Sequence, residues 1–232
     1  MRFKTILGFI AMCLFVIAIL PATAQQPQSI PMPQPTVPQM FTLQGQYVRM
    51  AYNNEGFATL GYRAVQQSVG GDWILLRVGI TVRKDVPNYE LKREHLTVKL
   101  PNGTTVPLAT QKEFMEAGGV RAVVLRDQKI HDSINYFPNE VSDACAIKFF
   151  NDPGQRGLAY DQVELSDNRG CVGRLFFKVP GGIVPGQYWL LIQFAKSHIE
   201  VPFRVMTPEE EKMFRDQWDE IKEFHENSMK QK

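Results

Sequence analysis

Residues 73–83 read WILLRVGITVR, and the spacing within this stretch decides the fold class. Ile74, Leu76, Val78, Ile80 and Val82 share one parity, while Arg77, Thr81 and Arg83 share the other. That period of two is the mark of a strand with one face in a core. The same alternation recurs downstream. Leu96, Val98 and Leu100 interleave with His95, Thr97 and Lys99, and Pro101-Asn102-Gly103-Thr104 then turns the chain into Val106 and Leu108. Asn-Gly is a strong short hairpin signal, and it accounts for the formal glycosylation sequon at Asn102. Ile147 and Phe149 flank Lys148, and Leu175, Phe177 and Val179 flank Lys178. Tyr188, Leu190, Ile192 and Phe194 make a further inward row, and Ile199, Val201, Phe203 and Val205 close the series. Cys145 shares parity with Ile147, and Cys171 with Leu175, so both are expected to point inward and to bridge two strands.

Helical signals interrupt the pattern twice. Thr110-Gln111-Lys112-Glu113 is a capping box that predicts a short helix to about Ala117, closed by Gly118-Gly119. Between Val120 and Phe137 the apolar residues take helical spacing, which predicts one or two turns inserted between strands. Near the C-terminus, Thr207-Pro208-Glu209-Glu210 combines a capping box, proline at the first helical position and acids in the first turn. Phe214, Trp218 and Ile221 mark one face of the helix expected over 206–232.

At the other end, Arg2 and Lys4 precede Thr5–Leu20, sixteen residues without a charge, followed by Pro21 and the small residues Ala22-Thr23-Ala24. These are the n-, h- and c-regions of a signal peptide, expected to be cleaved after Ala24. The uncharged run is short of the roughly 20 residues a spanning helix needs. No stable membrane span is expected after cleavage, and the protein is expected to be secreted or periplasmic. Removing Arg2 and Lys4 leaves 26 − 2 = 24 basic residues against 24 acidic ones, so the formal charge of +2 becomes zero. A neutral chain lacks the cationic excess that nucleic-acid binding requires. Cleavage also removes Cys13 and leaves Cys145 and Cys171 as an even pair, suited to a structural disulfide in an oxidising compartment. Residues 25–44 hold five prolines between Pro27 and Pro38 and predict an extended linker. The predicted organisation is a signal peptide over 1–24, a linker over 25–44, a β-domain over 45–205 and a C-terminal helix over 206–232.

Val184-Pro185-Gly186-Gln187-Tyr188-Trp189-Leu190 resembles the Pro-Gly-x-Tyr-x-Leu turn that opens the next-to-last strand of many immunoglobulin-like β-sandwiches. The resemblance implies a mainly β fold, an immunoglobulin-like antiparallel β-sandwich with a small helical insertion and a C-terminal α-helix. It also implies that the Tyr188 hydroxyl returns to the preceding turn, as in a tyrosine corner. This chain departs from true immunoglobulin domains in placing no tryptophan between its cysteines. The extra length, mostly between Thr110 and Gly170, predicts an insertion held by the disulfide.

Few residues carry chemistry. His131-Asp132, with Glu140 and Asp143 nearby, is the closest approach to an acid–base or metal cluster, but no HExxH, CxxC or DxDxDG spacing accompanies it. Ser142, Ser166 and Ser197 lack a GxSxG context. Neither a metal nor another cofactor is expected. The leading expectation is a non-enzymatic binding module of the cell envelope with a protein or glycan partner, for which Phe214, Trp218 and Ile221 are candidate contacts. The alternative is an extracytoplasmic hydrolase whose loop carboxylates and His131 converge only in three dimensions.

Overall fold

The computed structural model describes residues 33–152 and 157–230. The signal-peptide segment and the first part of the proline-rich stretch lie outside the described residues. In chain order the elements are β1 (Met40–Gly45), β2 (Val48–Tyr52), β3 (Gly56–Gly61), α1 (Arg63–Gln66), β4 (Trp73–Val82), β5 (Tyr89–Lys92), β6 (Leu96–Lys99) and β7 (Thr105–Pro107). Next come α2 (Gln111–Glu116), α3 (Val120–Ile130), β8 (Asp143–Ile147), β9 (Gln162–Leu165), β10 (Arg169–Lys178), β11 (Gly186–Gln193), β12 (His198–Val205), α4 (Pro208–Asp216) and α5 (Trp218–Lys230). The protein is mainly β. A six-stranded sheet has the order β1-β2-β3-β4-β10-β8, a four-stranded sheet the order β12-β11-β6-β7, and β5 pairs with β9. All pairings are antiparallel except β8 with β10.

The folded body starts earlier than the proline count implies. β1 begins at Met40, not Gly45, and buries Phe41 and Leu43. Ahead of it, the Thr36 N–H and hydroxyl both donate to the Glu200 carboxylate, at 2.7 and 2.6 Å. Prolines are tolerated along an edge like this because their missing N–H groups are not needed there.

Strand β4 is buried on both faces except at Arg77. The row from Ile74 to Val82 is fully covered, and β12 lies against β2 and β3, bringing the second sheet onto the first. Tyr62 and Phe203 meet across this junction with centroids 5.6 Å apart. On the opposite parity, Trp73 and Leu75 join Phe176 beneath α1, α2 and α3, in a cluster with Ala64, Phe114, Val120 and Val124. The inserted helices therefore form a third layer. α3 spans eleven residues, longer than the one or two turns its sequence implies. α2 and α4 start at the predicted caps, where Thr110 and Thr207 accept from the amides of Glu113 and Glu210. The C-terminal helix is two helices, interrupted at Gln217.

The tyrosine geometry is as its motif implies. The Tyr188 hydroxyl donates to the Val184 carbonyl at 2.7 Å and accepts from the Val184 N–H at 3.1 Å. Cys145 and Cys171 are direct register partners on the parallel β8–β10 pair and form the expected disulfide. Cys171 is fully buried, whereas Cys145, on the edge strand, is half-buried. Among the described residues, no helix is long and apolar enough to cross a membrane.

Candidate binding cavity

After α3 the chain runs without regular structure from His131 to Val141, laid across the helix-side face of the first sheet. Two contacts seat this strap. Thr59 Oγ1 donates to the Ile134 carbonyl at 2.9 Å, and the Phe137 ring rests on β4 at Gly79. A β-carbon at Gly79 would stand 2.7 Å from that ring and 2.6 Å from Thr59 Oγ1, so only glycine fits beneath the strap. Gly173 does similar service at the sheet edge, since a β-carbon there would meet the Ile147 carbonyl oxygen at 2.4 Å.

Between the strap and the β8–β10 edge lies a cavity of about 500 Å³, lined among others by Arg77, Arg174, Lys148, His131, Asp132 and Phe176. Its depth comes from the sheet itself. Leu75 pairs with Phe176, Arg77 with Arg174, and Gly79 with Val172. Along this face the surface passes from apolar beneath the helices, through two facing arginines, to small residues beneath Phe137. Like charges directly opposite on neighbouring strands destabilise a sheet unless each is compensated. Asp127, on α3 and with only 2% of its side chain exposed, accepts from Arg77 Nε at 2.8 Å and from Nη2 at 2.8 Å. Both oxygens of Asp152 accept from Arg174 Nη2, at 2.8 and 2.6 Å.

The sequence-predicted cluster is only partly assembled. His131 and Asp132 line the cavity, while Glu140 and Asp143 do not. His131 Nδ1 lies 3.0 Å from the Asp127 carbonyl at the end of its own helix. Asp132 Oδ2 is paired with Arg63 Nε at 3.0 Å, an ion pair whose N–H is not aligned on the oxygen. Asp143 bonds Ser142 and Asn168 at 3.1 Å each, and Glu140 is exposed on the turn before it. Among the described residues no group of His, Cys, Asp and Glu could hold a metal ion. Arg77 and Arg174 escaped the sequence reading because each sits on the polar parity of its strand, where a solvated cation is the ordinary expectation. Only the register shows that they face each other.

The candidate partner contacts on the C-terminal helices serve largely within the chain. Phe214 is buried, packs edge-on against Trp218 at 5.4 Å and lies beneath the Arg49 guanidinium. Trp218 and Ile221 are half-buried, and Phe224 is the exposed aromatic of this region. His225 is buried against β1, where Nε2 donates to the Phe41 carbonyl at 2.9 Å. Burial lowers its pKa below the usual value of about 6.5; nearby Arg49 adds to the effect, while the Phe41 bond and Glu226 oppose it. Because the folded value is depressed, this contact contributes stability above the ordinary histidine pKa and loses it as pH falls through the folded one. Acidification from about pH 7 to about pH 5 is therefore expected to loosen α5. Thermal melts across that range should show a loss that His225→Gln, which keeps a donor for Phe41, does not share. Equal losses in both proteins would refute it.

A second cleft, of about 680 Å³, lies among the turns at Asn53–Glu55, Val86–Tyr89 and Ala195–His198. One of its two carboxylates, Glu55, accepts from the Lys196 N–H at 3.1 Å and the Ser197 hydroxyl at 2.6 Å. Comparison with known proteins adds no relative: no family model, no curated protein and no solved structure matches this chain.

Proposed function

We propose that this chain is a secreted or periplasmic, non-enzymatic binding module of the cell envelope, holding a protein or glycan partner at the Arg77–Arg174 cavity. In this reading the chain is released by cleavage after Ala24 and joined to its surroundings by the proline-rich segment. Its body is an immunoglobulin-like β-sandwich, a reading supported by the tyrosine corner at Tyr188. The disulfide supports an oxidising compartment. One observation carries the binding reading: the cavity is concave and polar, its arginines are held by aspartates, Asp127 buried and Asp152 partly so, and they keep donors unspent. Pockets of about 300–1,000 Å³ with a few fixed polar groups are the usual form of a ligand site.

The hydrolase alternative has in its favour that His131 and Asp132 line the same cavity. Weighing against it, the histidine Nδ1 is turned to a backbone carbonyl and the carboxylate to Arg63. A photo-crosslinking residue at Lys148, on the cavity rim, tests the binding reading in cells that make the full chain. A discrete envelope adduct is expected from Lys148 and not from exposed Val184. No adduct, or the same adducts from both positions, would overturn the proposal.

A further inference from the structure

Arg77 and Arg174 spend only part of their hydrogen-bonding capacity. Arg77 uses Nε and Nη2 on Asp127, and Arg174 uses Nη2 on Asp152. Among the described residues nothing accepts from Arg77 Nη1 or from Arg174 Nε and Nη1. None of these nitrogens is a buried, unpartnered atom. The half-exposed side chains, at 26% and 28%, therefore present them to solvent within the cavity. Facing residues on antiparallel strands have β-carbons about 4.5–5.5 Å apart, so the two sets of donors start from neighbouring points on one floor.

The charges around this floor do not cancel. Arg63, Arg77, Lys148 and Arg174 are four cations, against three carboxylates, Asp127, Asp132 and Asp152. One positive charge is left over. Each aspartate fixes the plane of its arginine, so the remaining N–H groups are held in place before any ligand arrives. A planar guanidinium with unspent donors matches the geometry of carboxylate and phosphate oxygens.

We infer that the cavity binds the oxyanion of a carboxylate- or phosphate-bearing ligand, seated between Arg77 and Arg174 with Lys148 at the rim. This deepens the binding-module reading and rests on it. The cavity holds more than a lone ion, so the anion is one end of a larger molecule. Asp127 and Asp152 act as positioning residues, and the ligand displaces water without changing any covalent bond.

The test uses the disulfide-intact chain with three probes: inorganic phosphate, malonate and uncharged glucose. Arginine Nε–H resonances are followed by NMR. The Arg174 signal is expected to shift saturably with at least one anion and not with glucose, and the tighter anion identifies the ligand class. Arg174→Gln paired with Asp152→Asn removes the cation without leaving a bare carboxylate, and should weaken anion binding about tenfold, read at Arg77. Lys148→Gln, on the exposed rim, should weaken it about two- to threefold without touching the fold. Absence of a saturable shift, or equal affinity in the paired variant, overturns the anion assignment. An envelope adduct at Lys148 without any anion response would leave the module reading standing and remove this one. An anion response without an adduct would do the reverse.

Discussion

Arg49→Ala is expected to lower the unfolding free energy by about 3–5 kcal/mol, the sum of leaving buried acceptors without their donor and of losing the packing of a buried side chain. Arg49 lies on β2 with only 7% of its surface exposed. Its Nη1 donates to the carbonyls of Gly45, Gln46 and Val48 at 2.9, 3.2 and 3.0 Å, fastening the turn between β1 and β2. Its Nη2 donates to the Tyr62 hydroxyl at 2.5 Å. No carboxylate bonds it among the described residues. Burial pulls its pKa down, with Tyr62 opposing, yet arginine starts so high that the group stays charged. Carbonyl dipoles and aromatic faces thus compensate the cation, its carbon Cζ lying 5.1 Å from the Tyr62 ring centre and 5.9 Å from that of Phe214. Truncation would remove the Arg49 donor from the Gly45 and Val48 carbonyls, while the Gln46 carbonyl keeps the Tyr62 hydroxyl at 3.1 Å, and each buried unsatisfied group costs about 1–3 kcal/mol. It would also remove the surface on which Phe214 seats α4. For a domain of this size the loss corresponds to a fall in Tm of roughly 10 °C, with early exchange of the α4 and α5 amides. Arg49→Lys should recover part of it, by restoring donors without the flat face. A shift below about 2 °C in Arg49→Ala would show that the carbonyls find other partners.

Arg49 also shows why the first three strands are hard to read from residues alone. Val48-Arg49-Met50-Ala51-Tyr52 puts a charged residue where the core lies, and Gly56–Gly61 is buried at all six positions with little polar contrast. Period-two logic needs one face to be wet. The strands that alternate on the page, β6, β11 and β12, belong to the second sheet, and their inward rows were legible. Trp73-Ile74-Leu75-Leu76 shows the opposite lesson. Its near-continuous apolar run is what burial on both faces demands, and the third layer of helices is what supplies it. The helix starts at Thr110 and Thr207 were legible because capping is local chemistry spanning four residues. The docking of α5 through His225 follows from a contact with β1, more than 180 residues distant in sequence. At the candidate site, His131 and Asp132 stood out because chemistry-bearing residues are rare here. Arg77 and Arg174 did not, since their meaning lies in a register that no local spacing encodes.

Loss of the Cys145–Cys171 disulfide should carry the second large effect, on stability and on the cavity together. The bridge closes a loop over a sequence separation of 26, for which the chain-entropy relation gives about 3.5 kcal/mol. It acts at an edge of the six-stranded sheet. β8 is an edge strand of five residues, paired with β10 alone, and its fastening point is the register partner of Cys145 itself. Beyond β8 the chain carries Phe149 and Phe150, held under the Arg93 guanidinium, and then Asp152, which fixes Arg174. Arg93 donates to the carbonyls of Phe149 and Ala109, so this segment retains an anchor when the bridge is cut. The expected result of a Cys145→Ser, Cys171→Ser double variant is therefore a folded protein with a Tm lower by roughly 10 °C. Amide exchange should speed up first along Asp143–Ile147, while β11 and β12 keep their protection. Since Lys148 and Asp152 follow that strand directly, anion affinity should fall with the protection of β8, before global unfolding begins. Reduced and oxidised proteins melting within about 1 °C of each other would mean that β8 is held by its ladder and by Arg93, and that the bridge adds nothing.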